Sequence, residues 1–177
     1  MSGRTKMKST FKLKNVQRAL LAAGLIAATT GALASSTVST SFQVQANVNA
    51  QCSISAVNLT FPAVDPLSSQ TDGATTVTVK CTKNSAYTVG LNAGTTTGST
   101  IAQRLMANGA DLMDYNLYTD AGRSIIWGNS AGSWVAGTGA GMGTAQVLNV
   151  YGRVAAGQTN LAVGTFTEPT VTVTVTY

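Results

Sequence analysis

Apolar and polar residues alternate along much of this chain, with valine frequent at the apolar positions and threonine at their neighbours. Four such stretches stand out, at 42–50, 77–81, 87–91 and 171–177. A period of two with β-branched and aromatic residues is typical of half-buried β-strands, because successive side chains point to opposite faces of a sheet. Shorter strand candidates occur at 57–61, 115–118, 124–127 and 147–154. No stretch after residue 35 follows a helical period, so the pattern predicts an all-β sandwich.

The N-terminal region has a different pattern, in which basic residues precede an uncharged apolar run at 19–33. This run has the length of a signal-peptide core and is too short to span a bilayer comfortably. It ends in Ala-Leu-Ala, which fits signal-peptidase cleavage after Ala34. We therefore expect residues 1–34 to be removed during export. A second cleavage site fits after Ala46, and the sequence leaves the choice between the two open.

Removal of the signal changes the charge of the chain. The remaining 143 residues carry five basic and six acidic side chains, a net charge of −1, so the basic pI of 9.5 belongs to the targeting segment. This length suits one domain with its own core. Without a basic patch we expect no nucleic-acid partner, and without a second long apolar segment we expect no direct membrane anchor.

Two cysteines, Cys52 and Cys81, are predicted to form a disulfide because exported proteins mature in an oxidising compartment. Each is in phase with the apolar positions of its strand, so both are expected to point into the sandwich. Closing a loop of about 30 residues stabilises a fold by about 3–4 kcal/mol in the chain-entropy model. Two separate buried thiols are the alternative interpretation.

The residue types argue against catalysis. The chain contains no histidine, which removes the commonest general base and metal ligand, and we predict no enzyme activity, no metal site and no cofactor. Asp111, Asp114 and Asp120 are interpreted as solvated turn acids because the spacing of a calcium loop is absent. The six glycines between residues 128 and 143 are interpreted as a flexible surface loop. Since no strand leads there into a helix, a dinucleotide site is not indicated.

Trp127 and Trp134 flank part of this glycine-rich region. Packing in the core or under a lid is the preferred interpretation of both indole rings. Stacking on a sugar is the alternative, and it keeps a carbohydrate-binding function open.

Several motifs together resemble a known family. These are Cys-Ser-Ile at 52–54, Leu-Thr-Phe at 59–61, Arg-Leu-Met at 104–106, Tyr-Asn-Leu-Tyr at 115–118 followed by Asp120, Trp-Gly at 127–128, Gly-Arg at 152–153 and the valine-threonine tail at 171–177. Over nearly the whole exported chain the sequence resembles the spore coat protein U domain, the domain of archaic chaperone–usher pilins. One departure is that Glu168, followed by Pro169, stands where the family usually has an aspartate.

The resemblance implies an incomplete immunoglobulin-like β-sandwich at residues 50–177, preceded by a donor-strand segment at 35–49. A neighbouring subunit's donor strand would complete the sandwich in trans. Implied partners are identical or related pilin subunits, a periplasmic chaperone and an outer-membrane usher. The expected path is export through the periplasm into an extracellular fibre that serves adhesion and biofilm formation.

The resemblance also assigns roles to residues. Donor side chains would come from Val38, Thr40, Phe42, Val44, Ala46 and Val48. One wall of the acceptor groove would come from Val171, Val173, Val175 and Tyr177, and the Tyr177 carboxylate would bind in the basic cleft of the chaperone. The alternatives are a carbohydrate- or surface-binding module at a fibre tip and a self-complete secreted coat protein.

Overall fold

The computed structural model describes residues 35–65, 67 and 69–177, so the predicted signal peptide lies outside the described residues. The described residues form strands and no helix. The strands are β1 (Cys52–Ala56), β2 (Thr71–Cys81), β3 (Ala86–Leu91), β4 (Arg104–Asn108), β5 (Asp111–Tyr118), β6 (Val135–Thr138), β7 (Gln146–Val154) and β8 (Val173–Thr176). Within the described part of the chain, no helix has the length and apolar character needed to cross a membrane.

The strands form two antiparallel sheets in the order β1-β2-β7-β5-β4 and β6-β3-β8. Alternate residues of each strand face inward, as in Val77 and Val79 of the larger sheet and Val89 and Leu91 of the smaller one. These side chains form one buried core together with Trp127, which is fully buried. The all-β sandwich predicted from the period of two is therefore confirmed.

The disulfide joins two adjacent strands of the same sheet. Cys52 on β1 lies directly opposite Cys81 on β2, with 4.1 Å between their Cα atoms. Cys81 is fully buried and Cys52 partly buried, so both side chains face inward as their phase in the sequence predicts. The predicted pairing is present, and it fastens β1, which lies at the edge of the sheet formed by the described strands, to its neighbour β2.

By backbone contacts, Gln45–Tyr177 form one compact unit, and the described residues before Gln45 do not belong to it. The segment 35–50 contains no strand, and every residue in it is exposed. Phe42, for example, has 87% of its surface accessible. The alternating stretch at 42–50 is therefore not a strand in this single chain.

Two of the shorter strand predictions are wrong. Residues 57–61 pair with no strand, because the ladder with β2 ends at Val57 and the side chains of Leu59 and Phe61 pack directly onto the inner face of the larger sheet. Residues 124–127 make a single bridge, Tyr118 to Ile126. The Asp120 carboxylate accepts hydrogen bonds from the backbone N–H groups of Ser124 and Ile125, which hold a turn there instead of a strand.

The glycine-rich region at 128–143 contains strand β6, so its interpretation as a loop is wrong in part. Gly137 of β6 lies opposite Tyr87, whose ring comes so close that a Cβ at Gly137 would be 2.5 Å from Cζ. This glycine permits close packing instead of providing flexibility. Asp111 and Asp114 lie on β5 and not in a turn, whereas Asp120 does lie in one.

Candidate functional site

An apolar groove of about 990 Å³ lies between the two sheets, beside the edge strands β1 and β8. Its walls come from the segment that follows β1, from the segment that leads into β8 and from inward-facing residues of both sheets. The main apolar lining residues are Leu59, Phe61, Val64, Val77, Leu91, Met106, Met113, Tyr115, Leu117, Val150, Leu161, Phe166, Val171 and Val173. A groove with this lining binds apolar side chains by removing them from water.

The outer edge of β8 has free backbone groups. The Asn92 N–H donates to the Thr172 carbonyl at 3.1 Å, which places Thr172 in a hydrogen-bonded pair of the β3–β8 ladder. In an antiparallel ladder both backbone groups of a residue point to the same neighbour, and the direction alternates along the strand. The groups of Val171, Val173 and Val175 therefore point away from β3. No strand within the described residues pairs with this side of β8.

The outer edge of β1 has the same character. The Val57 N–H donates to the Thr76 carbonyl at 3.0 Å. The odd-numbered residues of β1 therefore direct their backbone groups to β2. The groups of Cys52, Ile54 and Ala56 consequently face the other way, where the described chain offers no paired strand. Strands β1 and β8 are near neighbours, but no ladder joins them.

Two glycines shape one wall of the groove. Gly73 on β2 and Gly152 on β7 lie directly opposite each other, and the side chains of Leu59 and Phe61 pack on them. A Cβ at Gly152 would lie 2.5 Å from Cδ2 of Leu59 and 2.8 Å from Cζ of Phe61. The glycine pair therefore makes a hollow in the sheet, and this hollow positions the segment that follows β1.

Tyr115 of β5 also lines the groove, and its side chain is almost completely buried at 6% exposure. The Phe61 ring meets the Tyr115 ring edge-on, with 6.3 Å between centroids. The Tyr115 hydroxyl has no hydrogen-bond partner among the described residues. Burial raises the pKa of this hydroxyl to about 12, Glu168 adds to the increase, and Arg104 opposes it.

Glu168 fixes the segment that enters β8. Its carboxylate accepts hydrogen bonds from the N–H groups of Thr95 and Thr96, at 2.8 and 2.9 Å, and from the Thr170 N–H at 3.0 Å. Partial burial alone would raise the pKa of Glu168, but hydrogen bonds from these three threonines outweigh it and lower the pKa to about 2. Glu168 therefore organises the turn before β8. The family that the sequence resembles usually has an aspartate at this position.

Arg104 is a buried cation beside the groove, with no exposed surface. Its guanidinium donates to Oδ1 of Asn116 at 2.6 Å and to the carbonyls of Trp127 and Asn92 at 2.7 and 2.9 Å. It also donates to the carbonyl of Leu91, a groove residue, at 3.3 Å. All these acceptors are neutral, and burial lowers the pKa of Arg104 to about 10. Arg104 thus joins the end of β3 to β4, β5 and the segment around Trp127.

The predicted groove residues are placed unequally. Val171 and Val173 line the groove, Val175 packs against the core, and Tyr177 is half exposed. The predicted donor side chains, at 38, 40, 42, 44, 46 and 48, are all exposed. Their seating on a second subunit stays a prediction.

Sequence reasoning did not assign a role in the site to Arg104, Tyr115 or the glycine pair. Arg104 and Tyr115 lie in motifs on which the family resemblance rests. Their place in these motifs could have indicated a role in the site. Nothing in the sequence pattern marks Gly73 and Gly152 as cross-strand partners. In the part of the chain that the structure describes, no cluster of three or more metal-ligating side chains occurs.

Comparison with known proteins shows which family, relative and solved structure this chain is similar to. The family model of the Spore Coat Protein U domain matches residues 38–176. Protein U of Myxococcus xanthus is 34% identical in an alignment 181 positions long, which spans 93% of this chain and 98% of that protein. A chain in the crystal structure of the CsuC–CsuE chaperone–tip adhesion subunit pre-assembly complex, from archaic chaperone–usher Csu pili of Acinetobacter baumannii, matches with a TM-score of 0.55 and 20% identity.

The structural match covers 73% of this chain but only 40% of the Acinetobacter chain, and at this identity it supports the fold alone. The match to the family model covers nearly all the described residues, and Protein U is similar along almost its full length. This chain therefore belongs to the Spore Coat Protein U domain family.

Proposed function

We propose that this protein is a structural subunit of a chaperone–usher surface fibre, in which the groove receives the N-terminal segment of a second copy. The observation that carries the proposal is the apolar groove flanked by β1 and β8. The inward-facing residues of these strands direct their backbone groups to edges that the described chain leaves unpaired. Such an edge binds an extended segment through backbone hydrogen bonds, and the pockets beside it select alternate side chains.

The proposed occupant is the segment 35–49 of the next subunit. Its alternating row of apolar side chains is exposed here, with Val38 at 96% and Val44 at 82% accessibility. Burying each large apolar side chain contributes about 1.5–3 kcal/mol, so four of them supply ample free energy for a stable contact. The glutamines and asparagines that alternate with this row would face water.

The proposal includes the partners and the path of the protein. A periplasmic chaperone would cover the groove of each new subunit, because an uncovered edge promotes aggregation. The carboxylate of Tyr177, a half-exposed residue, would bind in a basic cleft of that chaperone. The donor segment would replace the chaperone at an outer-membrane usher, and the resulting extracellular fibre would serve adhesion and biofilm formation. Family membership and the disulfide support this path, because a disulfide persists in the oxidising periplasm.

Fusion of a second copy of the donor segment tests the proposal. Residues 36–49 are placed behind Tyr177 through a short flexible linker, in a chain that begins at residue 50. The linker makes donor binding intramolecular, so we expect a stable, soluble monomer. A chain from residue 50 without the fusion should self-associate or unfold. Size-exclusion chromatography and urea denaturation measure both properties.

A control of matched composition exchanges Phe42 with Gln43 and Val44 with Gln45 in the fused copy. This change keeps length and hydrophobicity but turns the two central apolar side chains of the row outward, and most of the stabilisation should disappear. A chain from residue 50 that is a cooperative, stable monomer without any fusion would refute the proposal and favour a self-complete coat protein.

A further inference from the structure

The two glycines of the larger sheet interrupt its inward-facing rows of side chains beside the groove. Gly152 stands in the row of buried valines on β7, and Gly73 lies directly opposite it on β2. Leu59 and Phe61 pack on this glycine pair and also line the groove. Both side chains stay partly exposed while the groove is empty, so an occupant of the groove can reach them. The room inside the groove at this place therefore depends on how far these two side chains recede toward the sheet.

The sheet beneath the glycine pair is held on both sides and from behind. Strand β7 is hydrogen-bonded to β2 on one side and to β5 on the other. The Arg123 guanidinium donates to the Gly152 carbonyl at 3.1 Å and forms an ion pair with Asp72 at 3.2 Å. Because Asp72 directly precedes Gly73 on β2, its side chain points away from the groove. These bonds prevent the backbone from withdrawing if a larger residue replaces either glycine.

A side chain at either glycine would displace Leu59 and Phe61. A Cβ at Gly152 would lie 2.5 Å from Cδ2 of Leu59 and 2.8 Å from Cζ of Phe61. A Cβ at Gly73 would lie 3.0 Å from Cδ1 of Leu59 and 3.1 Å from Cδ1 of Phe61. Carbon atoms in contact are normally about 3.5–4.0 Å apart, so the shift at Gly152 is about 1 Å. Since the sheet is held, the two side chains would move toward the open space of the groove.

We propose that Gly73 and Gly152 are positioning residues that set how large a donor side chain the groove accepts at this place. They act through Leu59 and Phe61, which recede onto the glycines and leave room for an apolar side chain of a second copy. This inference rests on the proposed function, and it adds a limit on side-chain size to the selection of inward-facing positions by alternation.

The test uses fibres assembled from the full chain in cells that supply a chaperone and usher. The measurement is the rate at which purified fibres release monomer at a fixed guanidinium concentration. Gly152→Ala should make release about tenfold faster, a factor typical of overpacking a close-packed site. Gly73→Ala should have a smaller effect, because its Cβ contacts are longer. Gly143→Ala is the matched control and should behave as wild type, since a Cβ there meets no atom within 4 Å.

Alanine variants of the donor segment distinguish an effect on the groove from an effect on the fold of the subunit. They are made singly at the large apolar positions of the donor row, which are Val38, Phe42, Val44 and Val48. In the Gly152→Ala background, one of these variants should lose most of its effect on release, because its smaller side chain leaves room for the displaced Leu59 and Phe61. A purely structural role of the glycine would leave the effect of all four variants unchanged.

Unchanged effects at all four donor positions would overturn the proposal, as would Gly152→Ala fibres that release monomer at the wild-type rate. If Gly152→Ala forms no fibres, Gly73→Ala takes its place in the same comparison, and its milder contacts decide the question. Each of these results leaves the fibre function intact. Failure of the fused donor segment to stabilise the subunit would instead remove the proposed function itself.

Discussion

Replacement of Arg104 by methionine tests whether the buried guanidinium holds the sandwich together beside the groove. Methionine retains much of the side-chain length and apolar contact but removes all five N–H donors. The guanidinium is fully buried and donates to four main acceptors, which lie at the end of β3 and directly after it, on β5 and at Trp127. The substitution therefore separates the hydrogen bonds of this side chain from its volume.

The expected cost follows from the acceptors that lose their donor. A buried acceptor without a partner costs about 1–3 kcal/mol, and the carbonyls of Trp127, Asn92 and Leu91 are affected. The Asn116 side-chain oxygen keeps one bond, from the Leu117 N–H at 2.8 Å. Removing a buried charge returns part of this cost, because the cation no longer has to be desolvated. We expect a net loss of about 3–5 kcal/mol in the free energy of unfolding.

Urea denaturation of the fusion protein with the extra donor segment measures this loss. Lys83→Met is the control, since it removes an exposed cation and should change stability by no more than about 0.5 kcal/mol. Arg104→Lys should also destabilise, because an ammonium lacks the planar fork that reaches several acceptors at once. A methionine variant as stable as wild type would refute the assigned role and show that water satisfies these acceptors.

Three further predictions concern the donor segment, the disulfide and the turn before β8. If the subunits form heat-sensitive multimers on denaturing gels, as the proposed function predicts, Val44→Asp should abolish them, since an unpaired carboxylate in an apolar pocket costs several kcal/mol, whereas aspartate at either flanking glutamine should be nearly silent. Replacing Cys52 and Cys81 by serine should lower the unfolding free energy by about 3–4 kcal/mol in urea titrations of the fusion protein, given their separation of 29 residues. Glu168→Gln should lower the free energy of unfolding by about 1–2 kcal/mol at neutral pH, a range that already allows for the partial exposure of the carboxylate. Because folding lowers the pKa of Glu168 from 4.5 to about 2, this stabilisation is present above pH 4.5 and is lost as the pH falls through 2; equal acid unfolding of the glutamine variant and wild type would contradict it.

Alternation in the sequence predicted burial better than strand pairing. Val77, Val79 and Cys81 face inward on β2 as expected, and the valines of the C-terminal tail alternate in burial with its threonines. Residues 59–61 also alternate in burial, yet they form no ladder. The period of two reports which side chains meet an apolar surface, and it carries no information on whether a neighbouring strand lies within hydrogen-bonding distance.

The remaining features depend on contacts between residues far apart in sequence. Gly137 was interpreted as part of a loop because glycine favours turns, but the Tyr87 ring opposite requires a residue without a side chain. Arg104 resembles any surface cation in the sequence, and only the fold shows that carbonyls from three segments converge on it. Such roles become visible when register and packing are known.

On both edge strands the residues with inward-facing side chains also direct their backbone groups to the free edge. This coincidence explains why a segment with a period of two suits the groove. On β8 the side chains of the valines point inward. These valines lie outside the hydrogen-bonded pairs with β3, so their backbone groups point to the free edge. On β1 the residues in phase with Ile54 combine the same two properties. A strand added to either edge therefore meets inward-facing side chains and free backbone groups from the same residues. Side-chain selection and hydrogen bonding are coupled through one register, so the seating of one inward-facing side chain aligns the whole strand.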